Sequence, residues 1–262
     1  MHIAGYLAAV LIGVSLGLIG GGGSILTVPV LVYLFGINPL LSTSYSLFVV
    51  GSTSLVGAFN NYRKGLVSIK TAFLFGLSSI TTVFLTRKFI IPAIPKNIAE
   101  IGGFTITESI FTMVLFAILM VIASISMIRN GSIKENVINN KKINLAKLLV
   151  YGTAIGFVTG LLGAGGGFLI IPALVLLCKL DMKHAIGTSM LIITLNSLFG
   201  FMGDIGNQSI NWLFLFTITG IAIAGLLIGS HLNSNINSSK LKKGFGWFVL
   251  AMGIFVLLKE LL

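Results

Sequence analysis

The chain has 262 residues, 56% of them hydrophobic and 9% charged, with a mean hydropathy of +1.06. Soluble domains carry about 25% charged residues, and here no lysine, arginine, aspartate or glutamate precedes Arg63. This excludes a soluble domain and reads as a polytopic membrane protein; the net charge of +11 reads as basic cytoplasmic loops, not as a nucleic-acid surface.

The opening Met1-His2-Ile3 lacks lysine and arginine, and its apolar run outlasts a signal-peptide core, so the N-terminus is expected to be retained. Apolar segments follow at approximately 3–35, 44–60, 69–92, 108–128, 147–178, 186–203, 212–230 and 245–258. No segment between them is long enough for a soluble domain. Six have ordinary spanning length. The first and fifth are too long: as one straight helix each would rise about 50 Å, against roughly 30 Å of hydrocarbon.

Both long segments carry a glycine run near the middle. The first reads Gly17-Leu18-Ile19-Gly20-Gly21-Gly22-Gly23-Ser24-Ile25-Leu26-Thr27-Val28-Pro29. The second reads Gly160-Leu161-Leu162-Gly163-Ala164-Gly165-Gly166-Gly167-Phe168-Leu169-Ile170-Ile171-Pro172, at a constant offset of 143. Each glycine costs a helix about 0.8–1.0 kcal/mol relative to alanine, so a contiguous run interrupts it. Each long segment is therefore expected to be two short pieces joined by non-helical backbone.

Charge tests this topology. If each long segment crosses once, the basic residues split nine to eight between the two sides. If each enters and returns, the loops at 61–70, 129–147, 179–185 and 231–244 share one side with thirteen basic residues, and Arg87, Lys88, Lys96 and Lys259 remain opposite. Thirteen to four is the bias of a cytoplasmic face, which puts both termini outside. The expected fold is all-α: two inverted repeats, each of one glycine-broken helix, discontinuous or re-entrant, plus three transmembrane helices. The N-terminal repeat covers 1–130, a polar cytoplasmic linker 131–147, and the C-terminal repeat 148–262. Ser42-Thr43-Ser44 and Gly187-Thr188-Ser189 open the segments after the two glycine runs, at offset 145, and support the duplication.

Backbone N–H and C=O groups are not left bare in lipid. Broken helices are tolerated where they line a cavity or are buried in protein, and in transporters with inverted repeats their half-helix N-termini point at anions while unwound carbonyls hold cations. Gly20, Gly21, Gly22, Gly23 and Ser24, with Gly163, Ala164, Gly165, Gly166 and Gly167, are the candidate site. Ser24 and Gly167 fall at N-cap-like positions, where Ser24 serves either as a plain cap or as a hydroxyl donor. Thr43, Ser44, Thr188 and Ser189 serve likewise as caps or donors. Gly13, Gly17, Gly156 and Gly160 suit close helix packing. Pro29 and Pro172 read as structural kinks, and Asn196, inside a span, calls for an interhelical hydrogen bond. Cys178, the only cysteine, excludes an intramolecular disulfide and reads as apolar filler. His184 reads as a loop histidine.

No carboxylate lies within an apolar segment, with Glu108 and Asp204 at edges; this argues against a mid-membrane proton relay. No H-E-x-x-H occurs, no metal site or cofactor is expected, and no catalytic constellation points to an enzyme.

The paired G-x-x-G-x-G-G-x-x-x-x-x-P motifs, the downstream Thr-Ser pairs and the four-plus-four duplication resemble the TauE/SafE sulfite exporter family, also called the 4-toluene sulfonate uptake permease family. The likeness covers nearly the whole chain. Asn207-Gln208-Ser209-Ile210-Asn211-Trp212 is similar to its polar turn before the seventh segment, with Lys64-Gly65-Leu66-Val67-Ser68 as the first-half counterpart. Departures are Ser42 against Gly187 and Gly21 against Ala164, neither of which removes a backbone N–H. The resemblance implies a secondary transporter of the cell inner membrane, with export as the expected direction. Its substrates would be sulfite, organosulfonates or related sulfur-containing or carboxylic anions, bound at the two breaks and moved by alternating access. Its partners would be the small anion and the lipid bilayer, with room for a homodimer and no nucleic acid. A passive anion channel and a non-transporting membrane assembly subunit are the alternatives.

Overall fold

A computed structural model describes residues 2–95, 97–101, 104–129, 145–206, 209–232 and 238–261. The chain order is α1 (His2–Ile19), a 3-10 turn (Gly21–Leu26), α2 (Thr27–Tyr33), α3 (Pro39–Arg63) and α4 (Ile69–Leu85). A π turn (Thr86–Ile90) and the short α5 (Ile91–Ala93) extend α4, and a small hairpin of β1 (Asn97–Ile101) and β2 (Phe104–Thr107) follows. Then come α6 (Glu108–Arg129), α7 (Leu145–Leu162), α8 (Gly167–Leu177), α9 (Met182–Asp204), α10 (Trp212–Leu232) and α11 (Ser238–Leu261). The protein is thus an all-α membrane protein apart from the hairpin, which the apolar pattern does not announce. Among the described residues, five helices are long and apolar enough to cross a membrane: Pro39–Arg63, Ile69–Ala93, Glu108–Arg129, Met182–Asp204 and Trp212–Leu232. The linker expected at 131–147 lies outside the described residues up to 144.

Local chemistry sets the starts of the two central helices. Asn38 accepts from the Leu40 N–H at 3.0 Å, and Pro39 takes the first helical position of α3. Asp181 caps α9 by accepting from the His184 N–H at 3.3 Å.

Both glycine-interrupted segments double back. In the first, the rings of Tyr6 and Phe35 lie 5.5 Å apart, so the exit of α2 returns to the entry of α1. In the second, Ala146, Lys147, Val150 and Tyr151 of α7 share a surface pocket with Leu177 of α8. Tyr33 also donates to Glu260 at 2.8 Å, which places both described chain ends at the same end of the bundle.

The main helix pairs join the two halves of the sequence: α1 with α10, α4 with α7, α3 with α9 and α6 with α11. Small residues make the approaches close. Gly13 and Gly17 of α1 face Ala222, Leu226 and Gly229 of α10, while Gly156 and Gly160 of α7 face Ser79 and Thr86 of the α4 segment. Those two pairs run parallel. The α3–α9 pair is antiparallel, with Ser44 against Asp204 at one end and Leu66 against Gly187 at the other. The α6–α11 pair is antiparallel too, Met127 facing Gly246 and Ala117 facing Gly253.

Candidate functional site

The two glycine breaks meet. The main chains of Gly21 and Gly167 touch, so a Cβ on either would fall on the other's backbone; this is a contact only glycine permits. Beside them, a Cβ on Gly165 would reach Val50 at 2.7 Å and Ile193 at 3.1 Å. Val50 and Ile193 stand close to the middle of α3 and α9. The junction therefore lies at mid-depth of the helices that carry it.

The breaks differ in form. The first is tight: Gly20 turns with φ 76°, and the chain at once winds into the 3-10 turn that runs into α2. The second is a non-helical loop in which Gly163, Gly165 and Gly166 have φ of 67°, 66° and 70° before α8 begins. Left-handed backbone of this kind costs other residues about 1–2 kcal/mol each.

The predicted N-cap role of Ser24 is not what the structure shows. Ser24 lies inside the 3-10 turn, its hydroxyl donates to the Gly21 carbonyl at 2.8 Å, and the N-cap of α2 is Leu26. The turn continues into the helix without a gap, so no side-chain cap is required. Gly167 is the first residue of α8, with Gly166 at the N-cap. Pro29 lies in the first turn of α2 and Pro172 inside α8. Ala164 is buried beside its glycine neighbours.

The two Thr-Ser pairs also part company. Thr188 accepts from the Ser68 N–H at 2.9 Å and Ser189 donates to the Ile186 carbonyl at 2.8 Å, near the start of α4. Thr43 and Ser44, on the second turn of α3, reach instead a buried ion pair. Arg87 Nη1 donates to Thr43 Oγ1 and to Asp204 Oδ2, both at 3.0 Å, and Ser44 Oγ donates to Asp204 Oδ2 at 2.5 Å. Arg87 is 0% exposed and Asp204 3%; among the described residues they are the buried charged side chains.

This pair corrects the sequence reading of Arg87 as a loop cation; Asp204 does stand at the edge of its span, as the last residue of α9, but is buried there. The π turn holds an extra residue per turn and carries Arg87 into the protein instead of releasing it to a loop. One signal was present: Arg87 lies inside the apolar segment 69–92, followed by Phe89-Ile90-Ile91. The sparse side keeps Lys88, Lys96 and Lys259, so the basic bias survives.

Around the second loop sit buried polar atoms without a partner among the described residues: Arg87 Nε and Nη2, Thr159 Oγ1 and Ser197 Oγ. A Cβ on Gly163 would stand 2.7 Å from Arg87 Nη2, and one on Gly165 would stand 3.1 Å from Ser197 Oγ. The first break is bordered by Ile186, Ile193 and Ile171, with Thr27 Oγ1 one residue past its turn. Asn196 Oδ1 accepts from Ser79 Oγ at 2.9 Å, the interhelical bond its position called for. The arrangement places oriented donors and the Asp204-paired guanidinium against closely packed glycine backbone, polar groups of the kind that recognise an anion.

The model of the family described as "Sulfite exporter TauE/SafE" matches residues 5–256. A "Probable membrane transporter protein" of Xylella fastidiosa (strain Temecula1) is 29% identical over 254 residues, covering 94% of this chain and 91% of the relative. One from Methanocaldococcus jannaschii is 26% identical, covering 95% and 92%. "Probable membrane transporter protein YjnA" of Bacillus subtilis is 25% identical, covering 97% and 99%. No solved structure matches the chain.

Proposed function

Because the chain belongs to the sulfite exporter TauE/SafE family, we propose that it is a secondary transporter of small anions such as sulfite, organosulfonates or carboxylates, held where the two glycine breaks meet. The observation that carries this is the contact of Gly21 with Gly167 at mid-depth, in segments that enter and double back. Unwound backbone at that depth is tolerated where it lines a pathway.

The two halves form inverted repeats that rock against each other to alternate access. The antiparallel pairing of α3 with α9 and of α6 with α11, each joining equivalent helices, supports inversion. The chain sits in the inner membrane with the thirteen basic loop residues cytoplasmic and both termini outside; the shared position of the chain ends supports this. Export is the direction the family name suggests.

Reconstitution into proteoliposomes tests the reading. Sulfite flux is expected to saturate and to show counterflow. Gly165→Val, which drives a branched side chain into Val50 and a left-handed turn, is expected to lower flux more than tenfold in folded protein. Undiminished flux in that variant removes the glycine loops from the site, and flux without saturation or counterflow replaces the carrier by a channel.

A further inference from the structure

We propose that the side edge of the Arg87 guanidinium, Nε–H together with Nη2–H, is the anion-binding fork of the second glycine loop. The inference rests on the reading of the chain as an anion carrier and names the charged group of its site.

Arg87 is fully buried, yet only Nη1 is engaged, by Thr43 and Asp204. Nε and Nη2 have no acceptor among the described residues. These two nitrogens share one edge of the guanidinium plane, and their N–H bonds run side by side at the spacing of two oxygens on one anion. A buried cationic donor without an acceptor is costly and rare. Here the vacancy is confined to one edge, and that edge has the fork geometry.

The surroundings hold the edge in place and set glycine, not a side chain, against it. Thr43 and Asp204 fix Nη1, and Ser44 fixes the Asp204 carboxylate in turn. Gly163 faces Nη2 with no side chain; a Cβ there would close to 2.7 Å. Because Asp204 already balances the charge of Arg87, recognition comes from two oriented hydrogen bonds, not from net charge. Such binding is selective in shape yet weak enough to release, as a carrier requires. Thr43 is near the start of α3 and Asp204 ends α9, so the fork lies off the Gly21–Gly167 contact, toward the end that holds the chain termini.

The substrate class follows from the fork. It takes anions with two oxygens on one centre: carboxylates, sulfite and sulfonates. A single-centre ion such as chloride makes poorer use of it. Lysine, a point charge without the planar fork, does not replace arginine.

The test uses the full chain, purified and titrated with sulfite, methanesulfonate, acetate and chloride by calorimetry and thermal shift. The three two-oxygen anions are expected to bind at least about tenfold more tightly than chloride. Arg87→Lys keeps the charge and is expected to lose at least tenfold in affinity for them, with a smaller change for chloride. Since a lone substitution strands Asp204, the double variant Arg87→Gln/Asp204→Asn removes both charges together and is expected to lose the two-oxygen anions as well. Chloride binding as tightly as acetate to the natural chain overturns the fork without any variant being made. Retained affinity in either variant overturns the Arg87 assignment while leaving the carrier reading intact. A natural chain that neither binds nor transports any of the four anions overturns both.

Discussion

The first glycine break is a 3-10 turn with an apolar border, and the second is a non-helical loop with a polar one. At the first, one left-handed glycine, Gly20, leads straight into a 3-10 turn pinned by Ser24 and walled by isoleucines. At the second, three left-handed glycines hold a loop bordered by Arg87, Ser197 and Thr159, whose polar atoms are not fully partnered among the described residues. The two runs align at a constant offset, but Ser24 of the first is matched by Gly167 of the second, so the first turn has a hydroxyl pin that the second lacks, and the rest of the difference arises outside the motif. Arg87 on the π turn and Asp204 at the end of α9 supply it. The chain thus holds two similar glycine motifs, of which one borders a charged side chain.

The largest expected effect comes from that charge. Arg87→Leu leaves Asp204 buried without compensation and should destabilise the fold by about 3–5 kcal/mol. Arg87→Leu/Asp204→Leu should recover most of it in detergent unfolding. A double variant no more stable than the single one would show that the pair does not act as a unit. The first break, walled by isoleucine, has no equivalent substitution.

An intermediate effect separates the loops directly. Alanine at Gly20 or Gly163 is strained by a positive φ, which costs about 1–3 kcal/mol. At Gly20 the nearest atom to the new Cβ is a side-chain carbon of Ile186 at 2.8 Å, which can move, whereas at Gly163 the Cβ runs into the Thr43 backbone and the Arg87 head. Gly163→Ala should therefore be the more damaging by about 1 kcal/mol or more. Equal losses in unfolding midpoint would contradict the difference drawn between the two borders.

The smallest effect lies at the caps of the helices behind each loop. Asn38→Ala and Asp181→Ala should each cost about 1 kcal/mol near neutral pH. They should differ in acid. Burial raises the Asp181 carboxyl, but backbone and side-chain hydrogen bonds and the charge of His184 outweigh it and hold it below the usual carboxylate range. A lowered carboxyl contributes stability above its unfolded pKa, and this is lost as pH falls through the folded one. The Asp181→Ala penalty should thus fade on acidification while the Asn38→Ala penalty persists, as unfolding midpoints at neutral pH and near pH 3 would register. An Asp181→Ala penalty that does not change with pH would refute the cap assignment.

Much of this architecture was legible from local pattern. The eight apolar segments reappear as helices, the two overlong ones double back, and Gly13, Gly17, Gly156 and Gly160 pack as small-residue contacts should. Asn196 finds its partner on another helix. What escaped was set by distant residues. Arg87 beside Lys88 looks like a loop anchor, because the π turn that turns it inward and the Asp204 that receives it, 117 residues on, leave no trace in the neighbouring sequence. Ser24 looks like a cap only until the turn behind it proves helical. The glycine loops were found as motifs, but their inequality depends on which side chains other helices bring to them.

The cross-half helix pairs bear on how such a chain is made. α1 leaves the ribosome well before α10, its principal neighbour, and α3 and α4 await α9 and α7. Early helices therefore enter the bilayer with their glycine-lined faces uncovered and hold them against lipid until the second half arrives. Biogenesis then proceeds as a late interlocking of two insertion-competent halves, not as a stepwise build-up. Two fragments divided between 130 and 144 should be individually unable to mature and able to complement each other when produced together.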